Sequence, residues 1–183
     1  APAPGDWASV SKDVHEYRRV QLTGEYRVDG LSLVAAATEE GQGYWVMVPL
    51  QRADGSRVYI NRGFVPQRLR EQAARGDFTP RGQVSVTGLL RLNQPGGGVL
   101  RDNVPPENRW YSRDVQAMAE QHGLAPVAPY FVDAEASAQP GPIGGLTVIR
   151  FPNNHRVYAI TWFALALGVM LAAWLVVRER RKG

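Results

Sequence analysis

Tyr44-Trp45-Val46-Met47-Val48-Pro49-Leu50-Gln51, then Arg52-Ala53-Asp54-Gly55-Ser56, then Arg57-Val58-Tyr59-Ile60-Asn61, is the stretch whose reading decides the fold. Two runs rich in β-branched and aromatic residues flank an Asp-Gly pair. Glycine accepts the positive φ of a tight turn, so the stretch predicts a β-hairpin. Outward towards the N-terminus, period-two alternation places Val20, Leu22, Tyr26 and Val28 on one face, with Arg19, Gln21, Thr23 and Arg27 on the other. Asp29-Gly30 follows, then the apolar run Leu31-Ser32-Leu33-Val34, which reads as a second hairpin. Towards the C-terminus Val84, Val86, Leu90 and Leu92 alternate, with Gly88 expected at a bulge, and Tyr130 to Asp133 and Thr147 to Arg150 are shorter strands.

Two helices interrupt this series. Pro66 to Arg75 is a polar one. In the second, Ser112 reads as N-cap, Asp114 suits the first turn, Val115, Met118 and Ala119 form an apolar stripe, and Gly123 ends it. Pro95 to Gly98 and Gln139 to Gly145 are Pro/Gly-rich loops. The body is therefore a mainly β domain with minor α, antiparallel, of about six or seven strands and one good helix.

Beyond it, Val157 to Val177 holds 21 residues without a charge. At about 1.5 Å per residue they reach roughly 31 Å, the hydrocarbon thickness of a bilayer. Tyr158 and Trp162 near one end and Trp174 near the other match interfacial aromatic belts. The expected division is an extramembrane domain over 1–154 and a transmembrane helix with a basic tail over 155–183. Arg178, Arg180, Arg181 and Lys182 outnumber Arg150 and Arg156 on the other flank, which places the tail in the cytoplasm. The domain then faces the periplasm of a bacterium, or the intermembrane space if the protein is mitochondrial. Ala164, Gly168 and Ala172 recur every four residues; they read either as a seat for a second helix or as the composition of an alanine-rich span.

Charge excludes one class of partner. Of 21 Lys+Arg and 17 Asp+Glu, the tail holds four and one, leaving residues 1–177 at a net +1. The basic balance is largely the tail, and no nucleic-acid footprint remains. The absence of cysteine excludes disulfides, thiol redox chemistry and thiolate metal sites. Met47, Met118 and Met170 are too dispersed to replace thiolates for copper. The opening Ala1-Pro2-Ala3-Pro4 lacks an initiator Met, and a preceding segment is expected.

No catalytic constellation emerges, and the chain reads as a non-enzyme. His122 sits at a helix end, where a cation suits the dipole, and His15 lies in a polar entry segment. Asp102, Asp114 and Asp133 are scattered, as capping or turn residues are. His155 differs, because it falls just before the span with Tyr158, Ala159 and Trp162 on its helical face. A neutral imidazole there can ligate iron beside an aromatic wall, or can hydrogen-bond loop backbone or headgroups. Asn61, Arg62 and Gly63 close a strand beside a turn, where Arg62 pairs inside the sheet or meets a partner.

These residues resemble a known family. Asn153-Asn154-His155-Arg156-Val157-Tyr158-Ala159-Ile160-Thr161-Trp162-Phe163 is similar to the entry of the second membrane helix of the surfeit locus protein one family, which are cytochrome c oxidase assembly factors. The match runs back through Glu16-Tyr17-Arg18, Gly24-Glu25-Tyr26, Pro49-Leu50, Asn61-Arg62-Gly63-Phe64-Val65-Pro66, Gly88-Leu89-Leu90-Arg91, Asn108-Arg109-Trp110-Tyr111, Arg113-Asp114, Pro129-Tyr130-Phe131-Val132-Asp133 and Pro142-Ile143-Gly144-Gly145. Two positions depart from the family pattern: Phe64 stands where Trp is usual, and Arg156 where an apolar residue is common.

The resemblance implies a helix at each end of an outward-facing domain. The first helix, absent from this sequence, is then the partner of the Ala164/Gly168/Ala172 stripe. It also implies handling of haem a for insertion into oxidase subunit I, alongside haem a synthase. His155 is the implied axial ligand, Tyr158 and Trp162 are its neighbours, and Arg156 is a cation for a haem propionate or lipid phosphate. Asn61 and Arg62 become candidate partner contacts. The alternative is a scaffold that grips oxidase subunits and binds no cofactor.

Overall fold

The computed structural model describes residues 1–98, 101–136, 141–146 and 155–181, except the side chains of 155–159, 175 and 176. The chain divides into two compact units, Ala1–Thr147 and Val148–Gly183. The first contains strands β1 (Arg19–Tyr26), β2 (Ser32–Thr38), β3 (Gly41–Gln51), β4 (Arg57–Pro66), β5 (Gln83–Leu92) and β6 (Tyr130–Ala134), with short helices α1 (Lys12–His15), α2 (Arg70–Ala74) and α3 (Val115–Gln121). The second contains α4 (His155–Arg180). The expected strand Thr147 to Arg150 lies outside the described residues.

The six strands form one sheet in the order β1-β5-β6-β4-β3-β2, and β1 also meets β3 through Glu25↔Gln51 and Tyr26↔Leu50. That extra pairing closes β1, β5, β6, β4 and β3 into a ring and leaves β2 as a flank on β3. Closure removes the free edges of the five ring strands and leaves the outer edge of β2. All pairings are antiparallel except β4 with β6, which run parallel through Tyr59↔Phe131 and Asn61↔Asp133. A parallel pair needs a long crossover, and residues 67–129 supply it with β5 and α3.

Alternation sets the core. Leu22, Leu50, Val58, Ile60, Val86, Leu90, Tyr130 and Val132, contributed by all five ring strands, pack together. The opposite face of β4 and β6 turns Tyr59 and Phe131 towards Trp110, Val115 and Met118, so α3 covers that side. Leu31, Leu33, Val46, Val48 and Val65 pack with Ala73 of α2 in a third cluster. Strands buried on both faces read as continuous apolar runs, which is the pattern of Tyr44 to Leu50.

The expected hairpin at Ala53–Ser56 forms. Arg52 N–H donates to Ser56 O at 2.9 Å, Gly55 has φ +79, and Asp54 Oδ1 accepts Ser56 N–H at 2.9 Å. Three other expectations change. Asp29-Gly30 is not a hairpin: Val28–Gly30 is a 3₁₀ corner, and β1 and β2 both lie on β3 rather than on each other. Glycine is required there by contact, since a Cβ at Gly30 would stand 2.3 Å from Leu124 Cδ1 and 2.5 Å from Pro49 Cγ.

Gly88 marks no bulge. Its strand keeps register with β1 from Leu89 to Gln83, and a Cβ there would stand 2.2 Å from Asp133 O. The register shift falls instead in β3, between Trp45 and Met47. The cap of α3 moves two residues. Asp114 accepts Ala117 N–H, while Ser112 Oγ accepts Gly97 N–H at 3.0 Å and Asn103 Nδ2–H at 2.9 Å.

Candidate functional site

In the second unit, α4 has one segment, Ile160–Arg180, long and apolar enough to cross a membrane, with mean hydropathy 2.3. Every described side chain of α4 is exposed, including Trp162, Phe163, Leu167 and Trp174. An apolar helix with no buried face is unstable in water, so this points to a membrane-associated protein. Ala164, Gly168 and Ala172 lie exposed along it, and a Cβ at Gly168 would meet nothing. Arg178 closes the helix over the Trp174 ring at 5.1 Å.

His155, Arg156 and Tyr158 form the first turn of α4, but their side chains lie outside the described residues. Trp162 is described and is 67% exposed. Seven residues separate it from His155, two turns, which puts both on one helix face.

In the first unit, motifs far apart in sequence meet at Asp133. The carboxylate accepts Asn61 Nδ2–H at 2.8 Å, Arg91 Nη1–H at 3.2 Å and Arg113 Nη1–H at 3.3 Å. Its side chain is only 3% exposed. Arg91 also reaches Glu16 at 3.4 Å and lies over the Tyr17 ring at 4.5 Å. Tyr17 holds that position with φ +64, a left-handed conformation that side chains other than glycine rarely adopt. Arg113 stacks over Phe131 at 4.9 Å and donates from Nε to Gln94 at 3.0 Å. Burial pulls the Arg113 guanidinium below its usual range, opposed by Asp133.

Two cations against two carboxylates make the cluster electrically balanced, and its geometry is that of a lock on the strand ends. Glu16-Tyr17, Asn61, Arg91, Arg113 and Asp133 come from five of the motifs that carry the family resemblance. Asp133 is thus neither a capping nor a turn residue. The signal for it was a charge closing each apolar run, Leu89-Leu90-Arg91 and Phe131-Val132-Asp133.

Asn61 is buried; its Oδ1 accepts Gly63 N–H at 3.1 Å while its amide serves Asp133. Arg62 is half-buried, donates through Nη1 to the Phe78 carbonyl, and lies over the Tyr26 ring at 5.2 Å. Burial lowers the Arg62 pKa, with Tyr26 opposing, and raises that of Tyr26.

A second polar cluster surrounds fully buried Ser32. Its Oγ lies 3.1 Å from His122 Nε2 and 3.2 Å from Asn108 Oδ1, which also accepts Trp110 Nε1–H at 2.5 Å. Burial lowers the His122 pKa more than the Asp29 charge raises it, so His122 is held neutral rather than as a dipole-matched cation. With its oxygen enclosed, Ser32 is a poor nucleophile for any substrate. His15 sits apart, its Nδ1 accepting Ser11 N–H at 3.2 Å. Among the described residues no group of three or more His, Asp or Glu can hold a metal ion.

Comparison with known proteins agrees with the motifs. The model of the SURF1 family matches residues 1–167. A SURF1-like protein of Monosiga brevicollis is 33% identical over 180 residues, covering 90% of this chain and 67% of that protein. Surfeit locus protein 1 of Homo sapiens is 33% identical over 159 residues, covering 85% and 51%. A SURF1-like protein of Caenorhabditis briggsae is 31% identical over 191 residues, covering 92% and 59%. The chain thus spans about half to two thirds of the length of these relatives. With the family model matching from the first residue into α4, and the matched motifs meeting around Asp133, the chain belongs to the SURF1 family.

Proposed function

We propose that this protein is a non-enzymatic assembly factor for cytochrome c oxidase, which holds or delivers haem a for insertion into oxidase subunit I beside haem a synthase. The observation that carries the reading is the extent of the family match. It runs through His155 and Trp162 to residue 167, inside the apolar helix.

The residues there suit the group. An imidazole is an iron ligand, and Trp162, exposed two turns further on the same helix face, offers an aromatic wall for a flat macrocycle. His155 would hold the iron, Tyr158 and Trp162 would wall the ring, and Arg156 would meet a propionate. The haem itself supplies the redox iron. The protein's part is to orient it and keep it from water.

In this reading the first unit faces the periplasm, or the intermembrane space in a mitochondrion, and the basic tail Arg178–Lys182 lies in the cytoplasm or matrix. Ala164, Gly168 and Ala172 seat a preceding membrane helix.

An optical spectrum of the full-length protein, purified after co-expression with haem a synthesis, tests the proposal. The expected result is a haem spectrum that His155→Ala shifts or abolishes. Haem retained with an unchanged spectrum in that variant removes His155 from the ligand role. Colourless protein that still co-purifies with subunit I favours the scaffold alternative.

A further inference from the structure

Among the described residues β2 is the one strand outside the ring, and its outer edge is only half used. Ala35 N–H points away from β3 and donates to Trp110 O at 2.9 Å, part of a parallel bridge between Val34 and Trp110. The Asn108–Trp110 segment thus occupies the next strand position beside the first half of β2. Asn108 is fixed there through Leu31 O, at 3.4 Å from its Nδ2, and through Ser32. Then the segment leaves. Tyr111 N–H and Ser112 N–H both turn to Asn103 Oδ1, at 2.8 and 3.1 Å.

Peptide groups alternate along a strand, so Ala37 N–H and C=O point the same way as those of Ala35. Beyond Trp110 no described residue pairs with that edge. Ala35 and Ala37 are exposed, and they line a groove of about 1230 Å³ between α2 and the 101–111 segment.

The walls of the groove carry cations. Arg70 of α2 lies over the Tyr44 ring at 5.6 Å, and Arg101 lies over Tyr111 at 5.6 Å. Arg109 is paired with Glu107 at 2.6 Å, whereas neither Arg70 nor Arg101 forms an ion pair among the described residues. Stacking on tyrosine fixes each guanidinium plane and leaves its N–H fork for a carboxylate. Glu39 and Glu40 stand in the turn after β2 and disfavour a carboxylate at that end, so the ligand's carboxylates belong on Arg70 and Arg101.

We propose that this edge is a docking site for an extended acidic segment of another protein, which adds as a strand beside Ala36–Thr38, on the outward Ala35 C=O and the Ala37 N–H and C=O, with its carboxylates on Arg70 and Arg101. Main-chain hydrogen bonds supply the affinity, and the two arginines supply the choice of partner. The site lies wholly in the first unit and does not rest on the haem reading of α4.

The test uses the full chain in phosphatidylcholine nanodiscs and a fluorescent eight-residue peptide alternating glutamate and valine, followed by anisotropy. Saturable binding is expected. N-methylation of every second peptide nitrogen should weaken it about tenfold or more in one of the two frames and little in the other, because only one frame faces β2. Arg70→Gln with Arg101→Gln should weaken it by a similar factor, and Ala37→Pro should do the same at unchanged melting temperature. Equal loss or no loss in both methylation frames overturns strand addition. So does full competition by millimolar inorganic phosphate, which would make the groove a general anion site. A chain that is dimeric in the nanodisc-free detergent state and becomes monomeric as Ala37→Pro would assign the edge to a second copy instead.

Discussion

Asn61 and Asp133 face each other across the parallel pairing of β4 and β6, with Asn61 Nδ2 donating to Asp133 Oδ1 at 2.8 Å. The pair joins the parallel pairing of β4 and β6 to two arginines. A parallel pairing gains less per residue than an antiparallel one, and the side-chain bond reinforces it where β6 ends.

Asp133→Asn tests that account with little change of shape. It removes the charge between Arg91 and Arg113 and leaves Glu16 to serve Arg91 alone. Breaking a buried ion pair on one side costs about 3–5 kcal/mol. Because the two arginines keep some solvent contact, the lower end, about 3 kcal/mol, is expected from the urea midpoint of the full chain in detergent. A loss under about 1 kcal/mol would mean that the network contributes geometry rather than stability.

Arg62→Ala should destabilise by about 2 kcal/mol, through loss of a charged donor to the Phe78 carbonyl and of the stack on Tyr26. Arg62→Lys keeps the charge but not the planar fork, and should recover less than half. Wild-type stability with lost binding of oxidase subunits would instead assign Arg62 to a partner surface.

The glycines give a contrast within one chain. Gly88→Ala forces a Cβ to within 2.2 Å of the Asp133 carbonyl, whereas Gly5→Ala meets nothing within 4 Å. The first should cost at least about 1–3 kcal/mol as strands β5 and β6 part, and the second should leave the melting temperature unchanged. Similar behaviour of the two variants would refute the close-approach role.

Those glycines also show what could and could not be read from sequence. Asp54-Gly55 and Asp29-Gly30 look alike along the chain, yet one needs a positive φ and the other needs no Cβ. The first requirement is local, so the hairpin was legible. The second depends on Leu124 and Pro49, which meet Gly30 only after folding. The same distinction separates what alternation revealed from what it hid. Period two located β1 and β5, which bury one face, while β3, β4 and β6, buried on both faces, were legible as short β-branched and aromatic runs. Ring closure through Tyr26↔Leu50, the parallel pairing of β4 with β6, and the convergence on Asp133 are long-range events without a local pattern. The apolar span was legible for the opposite reason, since twenty-odd uncharged residues determine their solvent by themselves.

His122 provides a test by pH. Burial beside Ser32 lowers its pKa below the free value of 6.5, so the unfolded chain binds the proton more readily than the folded one. Stability then rises with pH between the depressed folded value and 6.5, and is lost as pH falls through that window. Asp29, itself held below the usual carboxylate range by Arg27, softens the effect by attracting the proton to His122. His122→Gln removes this titration while retaining a polar group beside Ser32. Chemical denaturation of both proteins at intervals between pH 5 and 7.5 should give curves that diverge towards acid, the wild type losing more stability per pH unit. Parallel curves would show that His122 takes up its proton in the folded protein as readily as in the unfolded chain, and that the Ser32 cluster does not hold it neutral.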